Sequence, residues 1–171
     1  MRNKAVFLDR DGVINRDDGY VYLWRDFVLL DGVVEALKNI QSKNYLIFIV
    51  TNQSGIARGF YRESDVEKLH QNLKDEFFLY GINIAGIRFC PHHPEGVIVR
   101  YTVDCNCRKP RPGMLYELGE SFNVDFAKSY MIGDKESDVY AGTHAGIKNS
   151  YLLGDERGDF NSLLSFSLFL P

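Results

Sequence analysis

A short apolar run, Ala5-Val6-Phe7-Leu8, ends abruptly in Asp9-Arg10-Asp11-Gly12. Unbroken apolar runs of this length are characteristic of strands covered on both faces. They recur along the chain, and the expected strands are Lys4–Leu8, Leu46–Val50, Ile84–Phe89, Ser129–Ile132 and Asn149–Leu153. Helical patterns separate them. Val33, Val34, Leu37 and Ile40 follow a helical spacing behind Asp31 as N-cap, and Ser64-x-x-Glu67 reads as a capping box ahead of Val66, Leu69, Leu73 and Phe77. Pro112 suits the first turn of a helix burying Met114, Leu115 and Leu118, and a short helix is expected near 138–145. The apolar segment 163–170 reads as a packed final helix or strand. Repeated β–α–β units imply an α/β fold, a three-layer Rossmann-like and mostly parallel sheet with helices on both faces.

Ligands of such folds sit beyond the carboxyl ends of the strands. Three polar motifs fall there: Asp9-x-Asp11, Thr51-Asn52-Gln53-Ser54 and Gly133-Asp134. An extended backbone sends residues i and i+2 to the same side, so Asp9 and Asp11 can face one opening. Two close carboxylates perturb each other's titration, which is a poor core but a good place to hold a cation and run nucleophilic and acid–base chemistry. Thr51 and Asn52 offer a hydroxyl and backbone amides to phosphoryl oxygens, and Lys109 offers a fixed positive charge. Asp134 and Asp138 add hard oxygen donors of the kind Mg²⁺ prefers.

With 171 residues the chain fits a single domain, 1–171, and no interdomain linker is visible. A net charge of −3 gives no general attraction to nucleic acid or anionic membrane, so phosphate binding must come from a local cluster. No apolar segment is long enough for a membrane span, and the N-terminal run is too short for a signal peptide. A cytoplasmic monomer is expected. The three cysteines, Cys90, Cys105 and Cys107, crowd into one segment, a poor disulfide framework but a good metal set in a reducing compartment. With His92 or His93 they form a Cys₃His group suited to structural zinc, in a loop spanning about 90–109.

The ordered set Asp9-Arg10-Asp11-Gly12, Thr51-Asn52, Arg108-Lys109-Pro110 and Gly133-Asp134 resembles the four signature motifs of the haloacid dehalogenase superfamily of phosphotransferases. The resemblance implies that Asp9 is a nucleophile forming an aspartyl-phosphate and that Asp11 is the general acid and base. It implies Mg²⁺ on Asp9, Asp134 and the Asp11 backbone carbonyl, with Asp138 supporting from behind. Thr51 and Lys109 would hold the transferred phosphoryl group. No inserted cap domain is expected, because Thr51 to Lys109 has room for one helix, one strand and the zinc loop.

Within the superfamily, the segments Gly19-Tyr20-Val21, Gly55-Ile56-Ala57-Arg58-Gly59, Cys90-Pro91-His92-His93-Pro94 and Cys105-Asn106-Cys107-Arg108-Lys109-Pro110 are similar to those of the heptose 1,7-bisphosphate 7-phosphatases. That resemblance selects His92 as the fourth zinc ligand. It implies a small sugar bisphosphate as substrate, contacted by Asp17, Asp18, Gly19, Tyr20, Thr51, Asn52, Gln53, Ser54 and Lys109, with Arg108 on the distal phosphate; the β anomer is favoured. Tyr22 and Trp24 are candidates to line the site or to join the core. Zinc-containing histidinol-phosphate phosphatases share the cysteine elements but have a shorter connection between them and lack the Gly-Ile-Ala-Arg-Gly run. A zinc-stabilised nucleic-acid-binding module is the alternative from another class; the acidic balance opposes it.

Overall fold

The computed structural model describes residues 2–154, 156 and 158–171. Five strands, β1 (Ala5–Leu8), β2 (Leu46–Asn52), β3 (Ile84–Cys90), β4 (Tyr130–Gly133) and β5 (Asn149–Leu152), form one sheet in the order β3-β2-β1-β4-β5. Every pairing is parallel, with Phe7 opposite Phe48 on one side and Met131 on the other. Among the described residues, five α-helices connect or follow the strands: α1 (Val33–Ser42), α2 (Glu63–Leu79), α3 (Gly113–Ser121), α4 (Glu136–Ala145) and α5 (Leu163–Phe169).

Alternation along the strands divides the core. Val6, Leu8, Ile47, Ile49 and Ile132 pack with Val33, Leu37 and Ile40 of α1, Leu73 and Phe77 of α2, and Leu163 and Phe166 of α5. Phe7, Phe48, Val50 and Met131 face the other way, against Met114, Leu115 and Leu118 of α3 and Ala141 and Ala145 of α4. All four residues of β1 are buried, and this burial on both faces is why the run carries no polar alternation.

Several boundaries differ from the sequence expectation. Strand β2 continues through Thr51 and Asn52, and β3 through Cys90, with Thr51 paired to Phe89 and Asn52 to Cys90. The ladder therefore carries candidate site residues into its own hydrogen-bonding frame. Helix α1 is preceded by Gly32, in a left-handed conformation at φ 76°, and not capped by Asp31. Helix α2 begins at Glu63, earlier than the Ser64 capping box allows. The Asp65 carboxylate reaches back to accept from the Arg62 amide at 2.8 Å and closes the capping box there. The final apolar segment is helical, with Ser162 Oγ accepting from the Ser165 amide. No helix among the described residues is long and apolar enough to cross a membrane.

Candidate active site

The carboxyl ends of β1, β2 and β4 open into a cavity of about 400 Å³. At its floor, Lys109 is buried and its three ammonium hydrogens each find an acceptor: Asp9 Oδ1 at 2.8 Å, Asp138 Oδ1 at 2.7 Å and the Val50 carbonyl at 2.7 Å. Burial works against the charge on Lys109, yet the Asp9 and Asp138 carboxylates prevail and hold it above the usual lysine range. Burial pushes the Asp9 carboxyl up, an effect opposed by Lys109. Asp134 is pushed up to about 7, chiefly by burial and then by the neighbouring Asp9 charge.

Asp9, Asp134 and Asp138 place carboxylate oxygens within 4.8 Å of one another. Three carboxylates against one ammonium leave an excess of negative charge. Asp134 Oδ1 is buried without a hydrogen-bond partner. A hard, oxygen-seeking divalent cation fits this donor set, because it satisfies the orphan oxygen and the charge together. Gly12 leaves the room. It sits at φ 83°, and a Cβ there would lie 2.3 Å from Asp134 Oδ2.

The second layer of contacts fixes these groups. Asn52 clamps the Lys109 backbone from both sides, its Nδ2 donating to the Lys109 carbonyl at 3.1 Å while its Oδ1 accepts from the Lys109 amide at 3.0 Å. The Thr51 hydroxyl accepts from Gln53 Nε2 at 2.9 Å, and Gln53 is held in turn by the Tyr61 hydroxyl at 2.8 Å. The Asp11 carboxylate takes bonds from Gln53, Asn15 and the wholly buried Arg10.

At the rim, Asp17, Gly19 and Tyr20 line the cavity, as do Ser54 and Arg108. Asp18 lies outside the lining and pairs with Arg16 at 2.7 Å. Tyr22 and Trp24 do not reach the cavity; Tyr22 stacks on Tyr61, and Trp24 stacks on Phe27 beside the core. Lys135, whose letter suggests only a surface lysine, lines the cavity and approaches Asp17 at 3.3 Å. Arg10 and Asn15 lie in or beside the first motif, but their grip on Asp11 was not read from it, and neither was the hydrogen bond from Tyr61 to Gln53.

Beside the cavity, Cys90, His92, Cys105 and Cys107 bring their ligand atoms within 4.8 Å of one another. Cys90 Sγ lies 3.6 Å from Cys105 Sγ, Cys105 lies 3.5 Å from Cys107, and His92 Nδ1 lies 3.3 Å from Cys107 Sγ. These separations are near the edges of a tetrahedron around an ion with bonds of about 2.0–2.3 Å, whereas the Cys90 and Cys107 sulfurs, 2.9 Å apart, are closer than such an edge. His93 instead turns its Nε2 toward Arg58, at 3.4 Å.

Two outcomes follow from this geometry. Gly12→Ala forces Asp134 away, so magnesium affinity measured by titration calorimetry falls at least about tenfold, as supporting groups of metal sites generally show; unchanged affinity contradicts the close approach. His70 on α2 is held near 3, first by burial and then by Arg10, so it stays neutral in the fold. As pH falls from about 6.5 toward 3, the unfolded chain gains a proton that the folded chain does not, and stability drops by about 1.4 kcal/mol per unit from this group. Denaturant titrations against pH should show a shallower slope for His70→Gln; identical slopes contradict the assignment.

The HAD-hydrolase-like family matches residues 106–157. A D-glycero-alpha-D-manno-heptose-1,7-bisphosphate 7-phosphatase of Burkholderia mallei is 48% identical over 155 residues, covering 91% of this chain and 82% of that protein. A D-glycero-beta-D-manno-heptose-1,7-bisphosphate 7-phosphatase of Haemophilus ducreyi is 46% identical over 157 residues, covering 90% and 84%. Among solved structures, the D,D-heptose 1,7-bisphosphate phosphatase of B. bronchiseptica, complexed with magnesium and phosphate, superposes with a TM-score of 0.81 at 27% identity, covering 98% of this chain and 97% of that one. A HAD-like phosphatase of Mesorhizobium loti gives 0.85 at 33% identity, covering 91% and 74%. Sheet order, buried lysine–carboxylate floor and these similarities agree: the chain belongs to the D-glycero-D-manno-heptose-1,7-bisphosphate 7-phosphatase family of haloacid dehalogenase-like hydrolases.

Proposed function

We propose that this protein is a magnesium-dependent phosphatase that removes the C7 phosphate of D-glycero-D-manno-heptose 1,7-bisphosphate and releases heptose 1-phosphate. The observation that carries the reading is the buried Lys109 ammonium between Asp9 and Asp138, set under a cavity lined by Thr51 and Asp11. Lys109 fixes the orientation of the Asp9 carboxylate and places positive charge where phosphoryl oxygens arrive. A carboxylate oxygen of Asp9 attacks phosphorus, and the bond to the C7 oxygen breaks. Asp11 gives its proton to that departing oxygen. Asp11 then takes a proton from the water that attacks the acyl phosphate, which restores Asp9 and frees inorganic phosphate. Thr51 and Lys109 hold the equatorial oxygens, where charge is stabilised throughout. Mg²⁺, held by Asp9, Asp134 and the Asp11 carbonyl with Asp138 behind, would neutralise the repulsion between anionic nucleophile and anionic phosphate.

Arg108 on the rim, its Nη1 donating to the His92 carbonyl at 3.3 Å, is the residue for the distal C1 phosphate, for which a planar guanidinium is suited. Asp17, Gly19, Tyr20, Asn52, Gln53 and Ser54 would contact the sugar. The product is the form in which an anomeric phosphate is available for nucleotidyl transfer to an ADP- or GDP-heptose. The clustered thiols fit a reducing, cytoplasmic setting.

Phosphate release from both heptose bisphosphate anomers, from histidinol phosphate and from 3′-phosphorylated oligonucleotide tests the assignment. A bisphosphate is the expected substrate, the rates on the two anomers give the preference, and Asp9→Asn should show no detectable turnover. Preference for histidinol phosphate overturns the substrate; tight oligonucleotide binding without hydrolysis overturns the enzyme.

Zinc on Cys90, His92, Cys105 and Cys107 would order a loop in which a single 3₁₀ turn, Val99–Tyr101, is the only regular element between β3 and α3. Cys107 stands two residues before Lys109, so fixing the metal fixes the lysine's backbone. Cys107→Ser is expected to lose zinc by elemental analysis, to melt several degrees lower and to lose most activity. Full zinc content and an unchanged Tm in that variant would remove the metal from the account.

A further inference from the structure

Among the described residues, Arg10 is the largest side chain wholly shielded from solvent, and it stands in sequence between the two motif carboxylates. Its side chain goes to Asp11. Nη2 donates to Asp11 Oδ1 at 2.8 Å and to Oδ2 at 3.0 Å, while Nε donates to Oδ1 at 3.2 Å. The guanidinium is fixed at two further points: Nη2 donates to the Val21 carbonyl at 2.7 Å, and Nη1 faces His70 Nε2 at 3.2 Å. Arginine has no acceptor, so His70 Nε2 accepts and the imidazole proton sits on Nδ1. Burial keeps that imidazole neutral, which is the form able to receive the bond.

A buried guanidinium is costly without a counter-charge, and Asp11 is the carboxylate paired with it. The dependence is mutual. Asn15 Nδ2 on Oδ1 at 2.9 Å and Gln53 Nε2 on Oδ2 at 3.0 Å complete the grip, so both Asp11 oxygens are engaged and rotation of the carboxyl group is restrained. Such restraint has a catalytic use, since proton transfer requires a donor within hydrogen-bond reach of the departing oxygen.

We propose that Arg10, braced from behind by His70 on α2, is a positioning residue that holds the Asp11 carboxyl group in place for proton transfer to the leaving oxygen. The proposal rests on the reading of Asp11 as the acid–base group. In that step Asp11, protonated from solvent beforehand, loses its O–H bond, and the proton passes to the alkoxide oxygen as the P–O bond opens. This leaves the carboxylate that pairs with Arg10 and then takes the proton of the attacking water; Arg10 itself exchanges no proton.

The test uses the magnesium-loaded full chain and the rate of the first half-reaction with p-nitrophenyl, phenyl and benzyl phosphate. A p-nitrophenolate departs without a proton, whereas a benzyl alkoxide needs one. Arg10→Lys should lower the benzyl phosphate rate about 10²-fold, within the range for lost acid catalysis, and the p-nitrophenyl rate less than about fivefold. Equal losses across the series would mean a merely structural role and would overturn the proposal. Should Arg10→Lys fail to fold, His70→Leu should give the same graded loss at smaller size, and His70→Gln, whose carbonyl can accept from Arg10, should restore the wild-type pattern. Equivalent behaviour of the two His70 variants overturns the brace. Asp11→Asn separates the two readings: a flat series there removes the acid–base role and this inference with it. A graded series there beside a flat one in Arg10→Lys removes the inference alone. Because the probes carry no sugar, the heptose assignment can fail without affecting either result.

Discussion

The Lys109 ammonium, buried and divided between Asp9 and Asp138, is the interaction on which the rest of the site depends. An isolated charge at that depth would cost several kcal/mol. Here it is tolerated because all three donors are satisfied and two opposite charges lie within 2.8 Å. With its carboxylates ionised, the same arrangement is not neutral. Asp134 joins the two carboxylates, so the floor carries more negative charge than Lys109 offsets, and Asp134 Oδ1 has no partner. A floor of this kind is unfavourable until a divalent cation and a phosphoryl group arrive. Binding and chemistry draw on that imbalance.

Much of the surrounding structure acts on Lys109. The two-residue extension of β2 places Asn52 where it clamps the lysine backbone through both its amide and its carbonyl. The same register places Cys90 opposite Asn52, at the end of β3. The cysteine cluster therefore begins at the sheet and returns, at Cys107, to the residue before Arg108. One short stretch links cysteine cluster, rim guanidinium and buried ammonium. Substitutions in the cysteine cluster are for this reason expected to act on the reaction through geometry, not through direct contact with substrate.

The strands were legible in the sequence because a sheet covered on both faces demands continuous apolar runs, and runs such as Val6 to Leu8 admit no other comfortable placement. The polar motifs were legible because they interrupt those runs at one end. What was not legible depends on partners far apart in the chain. Arg10 reads as an ordinary loop charge until the fold brings His70 and Val21 around it. Tyr61 has no meaning without Gln53, and Lys135 has none without Asp17. Asp18, alike in letter to Asp17, turns instead to Arg16. The start of α2 was misplaced for a local reason: Ser64 is the better cap by residue type, but Asp65 closes on Arg62 two residues earlier.

The central claim is that the Asp9 carboxylate carries the phosphoryl group between the two half-reactions. Rapid quenching during turnover, borohydride reduction of any acyl phosphate and peptide mass spectrometry test it most directly. The account predicts conversion of residue 9, and of no other aspartate, to homoserine. Unmodified Asp9 under conditions where phosphate is being released, or homoserine at another position, would contradict it.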